Sequence, residues 1–391
     1  MQRNVWVLSV SMFINRSGSM VLLFTSLYLT DKLHFTIAQA GFVMSFYGIG
    51  SILGSYTGGW LTDRRNHFDI MFYSLIGSGL ILLLMIFFTS YWAIAAIIFS
   101  YALVADMFRP ANSAAIGAYS DPENRTRSVS LVRLAINLGF SIGPAIGGFI
   151  AMHFGYKLLF VMDACTSFGA AVLLWVYLPR KQNIRSQAQR DILSDKKTSA
   201  YRDYLYLFFI ALVALYGTCF FQIFASIPQY FSKICHYNEG LIGLLLALNG
   251  LLVVLIEMPL VTWLEKKGNM FRYIVGGTLC IPVALTILWL GSGILFWAMM
   301  YTFILTIAEV LAMPFMMNYV LSQPVKERQG QYSALYSIGW GVANIIAPSV
   351  GLGIAGRFGF GWMFILFITL SFITAIGFVW VKRRNSLEKS R

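Results

Sequence analysis

Charge is scarce in this chain, and negative charge most of all: 16 Asp and Glu stand against 29 Lys and Arg among 391 residues, so that only 12% are charged. A soluble domain carries about 25%, and a water-solvated globular surface is therefore excluded over most of this length. Cysteine is rare as well. The four present (Cys165, Cys219, Cys235 and Cys280) are scattered, mostly within apolar runs, and form no CxxC pair. They read as packing residues rather than as a disulfide framework or a metal site. The chain has no phosphate-cradling P-loop, no nucleophile–base pair and no metal-ligand spacing. ATP-driven work by this chain alone and enzyme chemistry are both set aside, and no cofactor or metal is expected.

What is present is apolar: 58% of residues are hydrophobic, with 32 Phe and 10 Trp, and the mean hydropathy is +0.71. The reading is an all-α integral membrane protein of twelve spans, at roughly 5–29, 38–60, 70–89, 92–118, 128–152, 157–178, 203–232, 240–263, 270–290, 294–321, 330–353 and 359–381. The first run begins at Val5 and is too long for a signal-peptide core, so it is taken as a retained span. If both termini are cytoplasmic, the inner loops and tails hold 22 basic residues and the outer loops only Lys32, Lys157, Lys233 and Arg357. Inner loops collect Lys and Arg, so this contrast orients the chain in a cytoplasmic (inner) membrane. It also absorbs the net charge of +13 without any nucleic acid.

The longest polar stretch, residues 179–202, separates a six-helix bundle (1–178) from a second one (203–391). Its basic residues make it a positive-inside tether, with contact to anionic lipid headgroups as the alternative. The halves echo each other. Glu123 precedes Pro144 at the spacing by which Glu327 precedes Pro348, Asp63-Arg64-Arg65 after the second span resembles Glu265-Lys266-Lys267 after the eighth, and Asp106 with Pro110 resembles Glu309 with Pro314. Repeats of this kind build alternating-access transporters.

Two stretches carry the strongest patterns. Gly139, Gly143, Pro144, Gly147 and Gly148 concentrate small residues and a helix-breaker in the fifth span, where they fit a close helix–helix seam in lipid. The second span ends in Gly58-Gly59-Trp60-Leu61-Thr62-Asp63-Arg64-Arg65-Asn66-His67, a short inner loop dense in charge. There Asp63 abuts an apolar span, and Arg64 or Arg65 can pair with a neighbouring loop carboxylate such as Asp121 or Glu123. These links would hold a gate shut.

These residues resemble the major facilitator superfamily, specifically its twelve-helix drug:proton antiporter branch. Gly59, Leu61, Asp63 and Arg64 fit the family's loop between helices two and three. Asn66 stands where that loop has a second glycine, a place where asparagine tolerates positive φ; His67 and Phe68 depart from its last basic pair. The family's fifth-helix motif, G-x-x-x-G-P-x-x-G-G, is met in full. Arg109 followed by Asn112, Ser113, Ala114 and Ala115 fits the fourth-helix motif without its usual glycine. The resemblance implies two pseudo-symmetric six-helix bundles, antiport, and a part for Arg109 in proton transfer.

Charge in hydrocarbon is expensive and needs a partner or a task. Asp106 and Arg109 are three apart on one face of the fourth span, and Arg16 lies midway along the first. A proton-coupled carrier needs a carboxylate whose protonation changes between states, and Asp106 beside Arg109 suits this; the alternative is a permanent ion pair that fixes packing. Glu309, mid-way along the tenth span with no arginine on its own helix, is a candidate for proton coupling or for contact with a cationic substrate. Glu257 is assigned to a gate or to structural pairing, and Asp163 to the outer headgroup region. Asn15, Tyr47, Gln222, Asn249, Asn318, Tyr336, Trp340 and Asn344 supply amide and aromatic groups for a substrate cavity. The expected function is a monomeric, proton-coupled antiporter exporting amphipathic or cationic small molecules. Uptake or exchange of a specific solute such as a peptide, sugar or amino acid is the alternative within transport, and a non-transporting receptor or scaffold the alternative outside it.

Overall fold

The computed structural model describes residues 3–18, 21–62, 64–120, 125–180, 200–265, 267–322 and 329–389, which form helices and connecting turns with no strand among them. Twelve segments are long and apolar enough to cross a membrane. Backbone groups in hydrocarbon find no water, and a helix satisfies them within itself. Most bounds fall within a few residues of those expected; the fifth span begins at Leu134 and the eleventh runs on to Phe358.

The first span comprises α1 (Arg3–Gly18) and α2 (Val21–Asp31), the second is α3 (Ile37–Thr62) and the third is α4 (His67–Leu83). The fourth comprises α5 (Tyr91–Asp106) and α6 (Phe108–Tyr119), the fifth is α7 (Arg125–Phe154) and the sixth is α8 (Tyr156–Tyr177). The seventh comprises α9 (Tyr204–Phe220) and α10 (Ile227–Lys233). The last five are α11 (Glu239–Glu265), α12 (Met270–Leu290), α13 (Leu295–Leu321), α14 (Gln329–Phe358) and α15 (Phe360–Lys389). Twelve crossings return the chain to the side from which it started. We call that side the terminal face and the opposite one, which carries Asp31, Lys233 and Glu239, the distal face.

Two spans are interrupted by proline. Pro110 has no N–H for the Asp106 carbonyl, and its ring crowds that oxygen, so the fourth span breaks between Asp106 and Phe108. Pro228 likewise cannot serve Phe224, and the seventh span passes through a 3-10 turn at Phe221–Ile223 before α10 begins.

The halves meet along two seams, α7 against α11 and α3 against α14. Both are lined by glycines that no Cβ could replace. A methyl on Gly148 would lie 3.0 Å from Gly243 Cα, and one on Gly250 would lie 2.8 Å from Ser141 Cα. Across the other seam, a methyl on Gly41 would meet the Pro348 carbonyl oxygen at 2.6 Å, and one on Gly48 would meet Ile345 Cγ1 at 2.6 Å. Ser45 and Ser349 also share a hydrogen bond there. The fifth-span motif thus serves two neighbours: Gly139 and Gly143 admit Arg16 and Ser17 of α1, while Gly148 admits α11.

Two expectations are corrected. Asn66 has φ −67° and ψ 130° and caps α4, its side-chain oxygen accepting the Phe68 N–H; the asparagine with positive φ is Asn269, in the corresponding loop after the eighth span. At the end of the second span Gly58 makes a tight contact with the fourth, since a methyl on it would lie 2.6 Å from Met107 Cα, whereas one on Gly59 would only graze Pro110 at 4.0 Å. Among the cysteines, Cys219 and Cys235 are buried as packing residues should be, but Cys165 is exposed.

Candidate functional site

In the first half, the break at Pro110 places Asp106 at the end of α5, its residue only 2% exposed. Its Oδ1 accepts Nε of Arg109 at 2.9 Å, while its Oδ2 has no hydrogen-bond partner among the described residues. The Arg109 side chain remains half exposed. Arg16 reaches in from α1 and lies over the Phe140 ring at 5.6 Å. It comes this close because Gly139 has no side chain: a methyl there would be 2.6 Å from Arg16 Cβ. Tyr47 of α3 stands within electrostatic range of Arg16, Asp106 and Arg109, and Tyr101 of α5 within range of Arg16 and Asp106, their rings 6.4 Å apart. Asp106 is the buried charge of this group, the one that solvent screens least.

The second half holds a different group. Glu309 of α13 accepts Asn249 Nδ2 at 3.2 Å, and the same amide donates to Thr306 Oγ1 at 3.0 Å. Asn249 is buried, and Glu257 lies within electrostatic range of Glu309. Tyr216, within electrostatic range of both Glu309 and Tyr336, donates its hydroxyl to the Ala308 carbonyl at 3.1 Å. Trp340 joins Tyr216 at 6.2 Å, Phe221 at 5.5 Å and Tyr336 at 6.1 Å between ring centroids. A carboxylate beside an aromatic group suits a cation with apolar substituents.

Glu257 faces across the seam, accepting Asn137 Nδ2 of α7 at 3.4 Å. Side chains also join the halves at the distal face. Lys233 donates to Asp31 at 2.6 Å, Gln229 donates to Thr30 at 3.0 Å, and Tyr156 donates to Glu239 at 2.8 Å.

Other expected residues go elsewhere. Gln222 is fully buried, donating to the carbonyls of Thr218 and Ala347 and accepting from Ser226, so it ties α9 and its following turn to α14. Asn344 donates to Trp340 in its own helix at 3.1 Å, Asn318 is exposed, and Asn15 is half-buried. Gly147 is buried within the seam helix. Arg64 folds back on its own helix, 3.9 Å over the Trp60 ring. Asp63, Asp121 and Glu123 lie outside the described residues. Composition alone did not single out Tyr101, Asn137, Tyr216 or Thr306. Asp163, the eighth residue of α8, is 1% exposed and so packed inside the bundle.

Twelve spans, two glycine-lined seams between halves and ionisable groups buried on each side define a polytopic membrane transporter fold. Residues 6–336 match the Major Facilitator Superfamily, and the chain belongs to that family. It is 22% identical to a Na(+), Li(+), K(+)/H(+) antiporter of Planococcus maritimus, over 94% of this chain and 93% of that one. It is 21% identical to the multidrug resistance protein MdtG of Yersinia enterocolitica, over 99% and 95%. The fold superposes on a structure of the POT family transporter PepTSo with TM-score 0.80 at 16% identity, covering 99% of each chain, a likeness of fold alone.

Proposed function

We propose that this transporter is a proton-coupled antiporter that exports amphipathic or cationic small molecules by alternating access between two six-helix bundles, residues 1–178 and 203–391, joined by a tether at 179–202. The observation that carries this reading is Asp106: a carboxyl buried in the membrane, tied by one oxygen to a half-exposed arginine and with its other oxygen unpartnered. A proton arriving on that group dissolves the ion pair, and its departure restores it, so the state of the bundle and the proton are linked. The terminal face is taken as cytoplasmic from its basic loops, so the bonds across the distal face close the outer side. Glu309 with Tyr216, Tyr336 and Trp340 receives the cationic substrate. A relative named as a multidrug resistance protein accords with this.

Inorganic monovalent cations are the second reading. Glu309 Oε2 and Thr306 Oγ1 are drawn together by the Asn249 amide nitrogen between them, oxygen is the ligand atom that hard cations take, and one relative is named as a Na(+), Li(+), K(+)/H(+) antiporter. The deciding experiment is reconstitution into proteoliposomes with an imposed pH gradient and a panel of organic cations, neutral amphipaths, Na⁺, Li⁺, K⁺ and peptides. Gradient-driven movement of organic cations supports the first reading, and movement of metal ions alone supports the second. Solute movement down its own gradient with no effect of pH overturns both.

A further inference from the structure

A cleft of about 520 Å³ opens at the terminal end of the first half, between α3, α4 and the fourth span. Its mouth is charged. Arg65, just before α4, Asp69, in the first turn of α4, and Arg180, just past the end of α8, all line it. Two contacts pose Arg180 there: its Nη2 lies 3.3 Å from Asp69 Oδ1, and its guanidinium lies 5.1 Å from the centroid of the Phe68 ring. Two cations and one anion leave the mouth with net positive charge. Deeper, the lining turns apolar, with Tyr73, Val104 and Met107. Tyr73 lies about 9 Å of helix rise beyond the start of α4. It is 66% exposed within a membrane-crossing segment, so this part of the cleft opens to hydrocarbon. Ser74, also in the lining, donates its hydroxyl to the Val104 carbonyl at 2.6 Å, next to the break between α5 and α6. The cleft therefore runs from a cationic rim down to the break in the fourth span.

We propose that this cleft binds one anionic phospholipid from the leaflet on the terminal side, its phosphate held by Arg65 and Arg180 and the upper part of an acyl chain laid against Tyr73, Val104 and Met107. Charge and polarity change along the cleft in the order in which they change along such a lipid. A guanidinium presents paired N–H donors that match two oxygens of a phosphate, and basic recesses between membrane-spanning helices take lipid headgroups. A soluble anion would leave the apolar end unused, and a neutral apolar molecule would leave the rim unused. Asp69 decides between headgroups. It already pairs with Arg180, so a zwitterionic lipid could reach it with its ammonium only by breaking that pair. The remaining excess of one positive charge complements the one negative charge of a phosphatidylglycerol headgroup. Val104 and Met107 flank Asp106 in sequence, but Asp106 is not in the lining. The lipid thus touches the segment that carries the carboxyl rather than the carboxyl itself, and its binding does not depend on the proton-coupled reading.

The test uses the full-length protein in detergent, mixed with phosphatidylglycerol, phosphatidylethanolamine and phosphatidylcholine of identical chains, with bound lipid counted by native mass spectrometry. Wild type is expected to retain one phosphatidylglycerol in preference to the other two. The double variant Arg65→Gln, Arg180→Gln should lower that preference about tenfold or more, as the loss of charged hydrogen bonds implies. Asp69→Asn releases Arg180 and should raise it. Lys267→Gln removes a terminal-face cation of the other half, stacked 3.4 Å from the centroid of the Trp263 ring, and should leave it unchanged. Equal retention of the three lipids by wild type overturns the proposal. So does a Lys267→Gln protein that loses as much as the double variant, because charge anywhere on the face would then suffice. A preference for phosphatidylethanolamine that Asp69→Asn abolishes overturns the anionic assignment. A phosphatidylglycerol with a photoreactive group on its upper acyl chain locates the lipid on wild type without any variant. Cross-links to residues 65–74 and 104–107 support the cleft, and cross-links found only elsewhere overturn it.

Discussion

Gly243 lies so close to the carbonyl oxygen of Pro144 that no methyl group could be built on it, and Gly41 stands in the same relation to Pro348. The two contacts belong to opposite seams, yet they share a register. Gly48 and Gly250 each follow seven residues later, and each meets the residue three before the proline, Ile345 in one case and Ser141 in the other. His34 and His236, seven residues before the two glycines, both have φ 57°. The halves therefore carry the same seam twice.

Backbone cannot yield as a side chain can, so a methyl at Gly243 must push α7 and α11 apart. Overpacking of this kind costs about 1–3 kcal/mol. On the two-state view of the transporter, Gly243→Ala disfavours the distally closed state by about fivefold to a hundredfold. Distances between spin labels at the distal ends of α7 and α11 report the change. Gly276→Ala, at a glycine with open space around it, leaves those distances unaltered.

The Asp31–Lys233 pair is short but partly exposed, with side chains 23% and 40% accessible. Exposed pairs contribute about 0.2–1 kcal/mol. Lys233→Gln is therefore expected to raise the distally open population only a fewfold, much less than the seam substitution. Salt should act the same way on wild type, since 1 M ionic strength shortens the screening length to about 3 Å. The same spin-label distances, measured with and without salt, check both effects.

The twelve spans were legible because a crossing segment must be long and apolar, and the close seam was legible because only small residues permit it. Pro348 was recognisable as the counterpart of Pro144 from spacing alone. The partners of that seam were not, because spacing along one chain does not say which helix lies opposite a glycine. The same limit explains Gln222 and Asp163. A buried amide fills its own bonding needs with nearby carbonyls and looks in sequence like a cavity group. A carboxyl eight residues into a span looks peripheral until its neighbours are known. Asp106 and Arg109 were legible as a pair because three residues on a helix bring side chains to one face.

Asp106→Asn keeps the shape of the side chain and removes its exchangeable proton. The expected outcome is loss of pH-gradient-driven transport with gradient-free exchange retained. Arg109→Lys keeps the positive charge but replaces the planar guanidinium donor of the 2.9 Å contact with a flexible ammonium. It should therefore retain coupling with a displaced pH dependence. Flux in proteoliposomes at several internal and external pH values separates the two variants; full driven transport by Asp106→Asn removes the carboxyl from the mechanism.

Glu309→Gln tests substrate charge. The glutamine oxygen can still accept the Asn249 amide, so the local bonding and the packing against Thr306 persist while the negative charge goes. A cation that bonds the carboxylate directly should then bind about ten- to a hundredfold more weakly, the equivalent of the roughly 1.5–3 kcal/mol given by hydrogen bonds to charged groups. A neutral analogue of the same shape meets the same Tyr216, Tyr336 and Trp340 surface in both proteins and should bind them alike. Competition binding with such a matched pair is the measurement. Equal weakening of the cation and the neutral analogue would mean that Glu309 supports the helices rather than the substrate, and the aromatic group alone would then have to account for recognition.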